Sequence, residues 1–274
     1  MRSIEKAALE KVVLTGSGGA RCEVYLYGAH ATSWVPSGGS ERLFLSERSE
    51  FRPGVAIRGG IPVVFPQFAG LGPLPKHGFA RTSLWELRET PTNRARLRLC
   101  DSATTRAVWP HAFQAEVEFG VDDLTLRVAL TVENTGEAEF AFTAALHTYL
   151  AVADVAKTTV DGLRGLAFRD NRSGAQSDRD LGSALRLGEE VDRVYSGLPS
   201  RLTVLEPART TQVRAEGFPD AVVWNPGAQA AARLADLEPE GWRHFICVEA
   251  ATIRSPVVLA PGEGWHGAQL LQAM

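Results

Sequence analysis

The sequence predicts an all-β protein in which two large antiparallel sheets pack face to face, with few and short helices. Apolar and polar residues alternate with a period of two through most of the chain, whereas helical periodicity is rare. The 26 glycines and 15 prolines are spread along the chain and do not gather in one linker. Because all-β units of about 200–250 residues fold as one domain, we expect residues 1–274 to form a single domain.

The alternation identifies individual strands. It is clearest in residues 113–136, where two alternating runs flank the turn-like VDD and predict a hairpin, and it recurs in RARLRLC, residues 94–100. Helical patterns are limited to residues 181–195, where we expect a turn or two, and residues 3–12, which fit a short helix or a lead-in strand. The remaining predicted strands are 22–28, 140–152, 200–206, 221–226, 244–250 and 255–261.

Composition narrows the class of partner and compartment. The net charge of −3 gives no basic footprint for nucleic acid or an anionic membrane. The N-terminal residues lack the apolar core of a signal peptide, and no run reaches the roughly 18 apolar residues of a spanning helix. The three distant cysteines fit free thiols better than a disulfide framework. We therefore expect a soluble cytoplasmic protein without nucleic-acid or membrane partners.

Two predicted strands each carry one titratable side chain among apolar residues. In FAFTAALHTYLA (140–151), His147 shares a face with small and hydroxyl-bearing residues. In HFICVEAA (244–251), Glu249 shares a face with Phe245 and Cys247. Burying an unpaired imidazole or carboxylate is costly. Each group is therefore either a hydrogen-bonded structural residue or a reagent, and the strands alone leave both interpretations open.

Residues 54–87 combine six glycines and four prolines with interleaved aromatic residues, which favours a long, ordered loop. The loop carries the cationic or titratable residues Arg58, Lys76, His77 and Arg81. Guanidinium groups held on such a loop form an anion site, or else they pair with carboxylates for structure. The six histidines show no HxH or HExxH spacing, and no nucleotide-binding or nucleophile-elbow motif is present. We expect no metal.

Taken together, these motifs resemble the aldose 1-epimerase superfamily, and specifically its hexose-6-phosphate mutarotase branch. The resemblance covers roughly residues 55–250, and RGGIP with FPQF followed by HGFAR is its most specific part. The matching stretches, in chain order, are IRGGIPVVFPQFAGLG, PKHGFAR, AALHTYLAV, EEVDRVY, VVWNPG and FICVEAA.

The resemblance implies a large antiparallel β-supersandwich with an open cleft, and interconversion of sugar anomers without cofactor or metal. It implies His147 and Glu249 as the catalytic pair, and Arg58 and Arg81 as contacts to the substrate and its phosphate. The DRVY motif implies that Asp192 holds sugar hydroxyls. Lys76 is a departure, because the family commonly has glutamine before HGFAR, and it adds a phosphate contact or shifts the preference among sugar phosphates.

Ring opening requires a base at the anomeric hydroxyl and an acid at the ring oxygen. We therefore hypothesise that Glu249 is the base and His147 the acid, with the roles reversed on closure. The alternatives are a free-aldose mutarotase, a sugar-phosphate-binding protein with weak catalysis, and a glycoside hydrolase. A hydrolase normally uses two carboxylates, whereas the best partner for Glu249 is a histidine. We expect a monomer that takes a small sugar phosphate.

Overall fold

The chain folds into antiparallel sheets, as the alternating pattern predicts. The computed structural model describes residues 9–174, 176–177, 179, 182, 184–187, 189–197 and 201–274. The strands are β1 Lys11–Thr15, β2 Arg21–Tyr25, β3 His30–Val35, β4 Val63–Val64, β5 Glu86–Glu89, β6 Arg94–Cys100, β7 Phe113–Asp122, β8 Thr125–Asn134, β9 Phe140–Leu146, β10 Tyr149–Ala151, β11 Thr159–Asp161, β12 Ala167–Asp170, β13 Gln176–Ser177, β14 Leu185–Arg186, β15 Val191–Ser196, β16 Leu202–Leu205, β17 Thr210–Glu216, β18 Asp220–Asn225, β19 Phe245–Leu259 and β20 Gly264–Ala273.

Helices are short in the part of the chain that is described. The α-helices are α1 Ala103–Val108 and α2 Gly227–Ala231, and the 3-10 turns are Ser17–Gly19, Ala80–Thr82, Val155–Lys157 and Gly241–His244. Within the same residues, no helix is long and apolar enough to cross a bilayer.

Two large sheets dominate the described residues. One has the order β13-β12-β15-β18-β19-β9-β4, with β10 also paired to β19, and we call it the cleft sheet. The other has the order β14-β11-β16-β17-β20-β8-β7-β6-β5, and we call it the back sheet. A small sheet, β1-β2-β3, completes the set. The predicted hairpin is confirmed, since β7 and β8 pair antiparallel from Phe113↔Asn134 to Asp122↔Thr125.

The core lies between the two large sheets. The inward residues of β19, Ile246, Val248 and Ala250, belong to the same buried cluster as Leu130 and Leu271 of the back sheet. The opposite face of the cleft sheet is also partly covered, by two smaller apolar clusters that both contact Trp224. A sheet buried on one face and partly covered on the other leaves room for a site on the second face.

Three sequence expectations differ from the observed elements. The predicted helical turns at 181–195 are wrong for the described residues, because Val191–Ser196 form β15, whose β-branched and aromatic residues pair with β18. The predicted strands 244–250 and 255–261 belong to one strand, β19, with a register shift between Thr252 and Val257. The predicted strand 140–152 is interrupted at residues 147–148, between β9 and β10. Residues 1–8, which hold most of the other helical candidate, lie outside the described part.

Candidate active site

A cleft opens on the outer face of the cleft sheet and gathers most of the residues that the sequence singled out. It contains about 560 Å³ of space, including the part open to solvent. Its lining residues are Arg58, Phe68, Ala69, Lys76, His77, His147, Asn171, Asp192, Val222, Trp224, Leu234 and Glu249.

Strand pairing brings His147 and Glu249 together. β19 pairs with β9 at Ala250↔Leu146 and with β10 at Cys247↔Tyr149, so the break between β9 and β10 lies beside Glu249. The Nε2 atom of His147 is 3.4 Å from Oε1 of Glu249. Both residues are almost fully buried, at 8% and 2% exposure. The imidazole and the carboxylate can therefore act on the same small molecule.

Both members of this pair retain unused hydrogen-bonding capacity. Nδ1 of His147 and Oε2 of Glu249 are buried and have no hydrogen-bond partner in the structure. Buried polar atoms are normally satisfied, and exceptions are characteristic of reactive sites. The ring of Tyr149 stacks on the ring of His147, at a centroid distance of 4.9 Å and an interplanar angle of 12°. The ring is thus oriented by packing, while its polar atoms remain available.

Burial opposes charge on both groups in the empty cleft. It lowers the pKa of His147 well below 6.5, and the neighbouring His77, Arg81 and Arg58 lower it further. Burial also raises the pKa of Glu249 well above 4.5, with a further contribution from the carboxylate of Asp192. The two shifts favour a pair that shares one titratable proton in its uncharged arrangement, with the proton on Glu249.

Arg58 lies at the cleft because the following glycines allow an unusually close turn. Gly59 and Gly60 have φ of +111° and +63°, and a Cβ at either would lie within 2.3 Å of a backbone oxygen. The guanidinium is already engaged. It donates from Nε and Nη2 to the carboxylate of Asp236, both at 3.1 Å, and from Nη1 to the hydroxyl of Tyr149 at 2.9 Å.

This arrangement gives Arg58 a supporting role. Burial opposes its charge, but Tyr149 and Asp236 outweigh burial and raise the pKa of Arg58 above its ordinary value. Its guanidinium faces the cleft while holding Tyr149 beneath His147. Of the two interpretations that the sequence left open for Arg58, the structure shows the ion pair with a carboxylate, and the residue also lines the cleft.

Arg81 differs from Arg58. Its Nη2 donates to the carbonyl oxygen of Lys76 at 2.8 Å, and among the described residues it forms no ion pair with a carboxylate. Burial lowers its pKa. Arg81 is not among the lining residues, but it is joined to Lys76, which does line the cleft. The Lys76–Arg81 pair therefore forms a cationic end to the site, in which neither side chain has an ion-pair partner among the described residues.

His77 contributes a neutral donor. The backbone N–H of Ala69 donates to its Nδ1 at 3.3 Å, so the ring proton resides on Nε2. Burial and the nearby Arg81, Lys76 and Arg58 lower the pKa of His77 to about 3. The ring stands edge-on to His147, with centroids 5.4 Å apart.

Asp192 on β15 contributes a carboxylate to the lining of the cleft. Its Oδ1 accepts a hydrogen bond from Asn171 Nδ2 at 2.8 Å, and burial followed by Glu190 and Asp170 raises its pKa. The charge of Lys76 lowers this pKa, so the carboxylate of Asp192, the ammonium of Lys76 and the His147–Glu249 pair share one cleft. No group of three or more possible metal-ligating side chains occurs among the described residues.

Several functional residues escaped the sequence analysis. Asp236 lies in ARLADLEPEG, which has no strand or helix period, and its partner Arg58 is 178 positions away. Asn171 likewise lies outside any pattern that signals chemistry, and Trp224 lies in the matching stretch VVWNPG but was assigned no role there. Tyr149 did not escape, because its position two residues after His147 in a predicted strand places both on one face.

Comparison with known proteins gives this cleft a context. A sequence model of the family described as aldose 1-epimerase matches residues 10–272. The chain belongs to the aldose 1-epimerase family. The resemblance found in the motifs is thereby confirmed, and the matched residues include every residue that lines the cleft.

Individual proteins similar to this chain carry more specific names than the family. A protein of Cenchrus ciliaris named "putative glucose-6-phosphate 1-epimerase" is 37% identical over 282 residues, covering 98% of this chain and 86% of the relative. A protein of Escherichia coli K12 with the same name is 36% identical over 237 residues, covering 82% and 78%. The crystal structure of a "putative mutarotase" from Salmonella typhimurium superposes with a TM-score of 0.88 at 30% identity, covering 98% and 92%. The all-β fold class is confirmed.

Proposed function

We propose that this protein interconverts the α and β anomers of a hexose 6-phosphate by acid/base opening and reclosure of the sugar ring. The relatives named as glucose-6-phosphate 1-epimerases support the substrate class. The observation that carries the proposal is the buried His147–Glu249 pair, 3.4 Å apart, on the floor of a cleft with a cationic end.

The reaction needs one proton removed and one delivered. Glu249 accepts the proton of the anomeric hydroxyl while His147 donates a proton to the ring oxygen, which opens the hemiacetal to an aldehyde. Rotation about the C1–C2 bond and closure with the two roles reversed give the other anomer. Each positioned acid or base contributes roughly 10²–10⁴-fold, and the pair returns to its starting state after each turnover.

The substrate itself adjusts the protonation of the pair. The uncharged arrangement of the empty cleft and the ionised arrangement, carboxylate and imidazolium, contain the same number of protons. The two differ by one transfer across 3.4 Å. A phosphate dianion beside Arg81 and Lys76 offsets the cationic charge that lowers the pKa of His147. Phosphate binding thus favours the imidazolium that ring opening requires.

The cationic end supplies the phosphate site. Arg81 and Lys76 carry charge without a carboxylate partner among the described ion pairs, whereas Arg58 is held by Asp236. Asp192, with Asn171 beside it, is placed to accept hydrogen bonds from sugar hydroxyls, and the Nε2–H of His77 is a neutral donor to a sugar oxygen. The substrate therefore lies with its phosphate toward Lys76 and its anomeric carbon over the catalytic pair.

NMR exchange spectroscopy tests the proposal directly. Anomer exchange of glucose 6-phosphate and of free galactose is measured with equal enzyme, and reducing-sugar release from oligosaccharides is measured in parallel. We expect strong acceleration with glucose 6-phosphate, weak acceleration with galactose and no release. Equal acceleration of both sugars would indicate a free-aldose mutarotase, release would indicate a hydrolase, and no acceleration would leave only a binding function.

A further inference from the structure

A single buried amide links the two chain segments that carry the catalytic pair. Gln269 lies on β20 of the back sheet, in the inward-facing row Trp265, Gly267, Gln269, Leu271 and Ala273, and it is fully buried. Its Oε1 accepts a hydrogen bond from the hydroxyl of Thr148. Its Nε2 donates to the carbonyl oxygen of Val248 at 3.0 Å.

The two residues that Gln269 holds are the immediate neighbours of the catalytic pair. Thr148 follows His147, and Val248 precedes Glu249. Thr148 is fully buried and its hydroxyl contacts Gln269 of the back sheet, so it points into the core, whereas His147 lines the cleft. One amide of the back sheet thereby fixes both segments from behind.

The contact occurs where regular pairing fails. β9 ends at Leu146 and β10 begins at Tyr149, so residues 147–148 form a break in the strand. At this break the backbone N–H of Val248 donates to the carbonyl of Thr148 at 3.1 Å. Without a side-chain contact, the hydroxyl of Thr148 would be an unsatisfied polar group in an apolar core, which is costly.

We propose that Gln269 is a positioning residue for this reaction, which holds His147 and Glu249 at reacting distance by bridging Thr148 and Val248 across the core. The proposal rests on the catalytic roles assigned under the proposed function. It assigns to Gln269 no contact with substrate and no part in proton transfer. Its effect should appear in kcat and not in KM, because Lys76 and Arg81 of the cationic end lie on another segment of the chain.

Substitutions that remove the bridge test this role. We expect Gln269→Leu and Thr148→Val each to lower kcat for glucose 6-phosphate roughly ten- to hundredfold, because a displacement of about 1 Å can cost about 10²-fold. KM should change less than about twofold, since Arg81 and Lys76 are untouched. Thr148→Ser keeps the hydroxyl and should retain kcat. The double variant should be no slower than the slower single variant, because both remove one bridge.

Asn134→Leu is the matched control. Asn134 is also a fully buried amide, and its Nδ2 donates to the carbonyls of Ala138 and Leu259, far from the cleft. It should lower the free energy of unfolding but leave kcat of the folded protein within about twofold. If Gln269→Leu and Thr148→Val behave like Asn134→Leu, with stability lost and kcat kept, Gln269 is only structural.

A second readout does not depend on activity. The imidazole resonances of His147 and their pH titration should shift in Thr148→Val, which is the milder change, and stay in place in Asn134→Leu. A wild-type protein inactive toward every sugar phosphate would refute the proposed function, yet the His147 resonances would still decide whether the bridge positions the ring. Unshifted resonances in both bridge variants would overturn the inference.

Discussion

Nε2 of His147 and Oε1 of Glu249 lie 3.4 Å apart across a break between two strands, and both side chains are buried. The proximity would favour opposite charges on the two groups, whereas burial disfavours any charge at all. In the empty cleft burial has the larger effect on both pKa values, so the pair is uncharged and its one titratable proton lies on Glu249. A bound anion can shift this proton to His147.

Glu249→Gln should remove activity and preserve the fold. We expect kcat/KM for glucose 6-phosphate to fall roughly 10²–10⁴-fold, measured by NMR exchange spectroscopy. Because burial raises the pKa of Glu249, the protonated acid is favoured in the folded state, and its contribution to stability is lost as the pH rises through that pKa. The neutral amide avoids this loss. Urea unfolding at pH 7 should therefore show a variant at least as stable as wild type, and retained activity would refute the catalytic assignment.

Arg81→Ala should discriminate between sugars. A hydrogen bond to a charged group contributes about 1.5–3 kcal/mol, so KM for glucose 6-phosphate should rise about ten- to hundredfold. Turnover of free glucose, which has no phosphate, should hardly change. Arg88→Ala, which removes an exposed arginine paired with Glu86, is the control and should leave both sugars unaffected. Equal losses with glucose and glucose 6-phosphate would show that Arg81 is structural.

Asp236→Asn should give the opposite kinetic pattern. Removing the carboxylate loosens Arg58, and with it the Tyr149 ring that supports His147, so we expect kcat to fall severalfold or more. KM for glucose 6-phosphate should stay level or decrease, because a negative charge near the cationic end is lost. Glu238→Gln removes a charge from the same segment, where it binds Ser46, and should change neither constant. A raised KM with unchanged kcat would place Arg58 in the phosphate site instead.

The sequence predicted those strands in which the alternation of polar and apolar residues shows which face is buried. β7 and β8 each have one wet and one buried face, so their alternation is visible without the partner strand. The break at residues 147–148 is not visible in this way, because the local alternation does not mark it and the side chain that contacts it, Gln269, lies on a distant strand of the other sheet. β15 was mistaken for helix because its pairing with β18, and not its own period, fixes its conformation.

The same distinction applies to the site. His147, Glu249, Lys76 and Asp192 carry motifs, and the structure brings all four to one cleft. The interpretation of Arg58 depended on Asp236, which lies in an irregular segment whose position no periodicity specifies. Residues that act through others are thus the ones a single sequence cannot identify, since their signal is a contact and not a residue type.

The pH dependence of kcat/KM should be bell-shaped and should move when Arg81 is removed. Activity requires one titratable proton on the His147–Glu249 pair. On the acid side, activity is lost when the pair takes up a second proton, at a pH below 6.5 because the pKa of His147 is lowered. On the alkaline side, activity is lost when the pair loses its proton, at a pH above 4.5 because the pKa of Glu249 is raised. Arg81 lowers the pKa of His147, so Arg81→Ala should shift the acid limb to higher pH. Free glucose is the substrate of choice, because it has no phosphate that titrates near pH 6. An unmoved limb would mean that Arg81 does not act on the pair.

His30 should make the folded state sensitive to acid. It is fully buried, its Nε2 lies 2.7 Å from the carbonyl oxygen of Gly59, and burial lowers its pKa to about 4. Between pH 6.5 and 4 the unfolded chain binds the proton and the folded chain does not, so the free energy of unfolding falls as the pH falls. Over this window the loss from His30 is about 2–3 kcal/mol. Urea unfolding of wild type and His30→Gln at pH 7 and pH 5 measures it, and the variant should lose less stability than wild type. Parallel losses in the two proteins would show that His30 accepts its proton without unfolding.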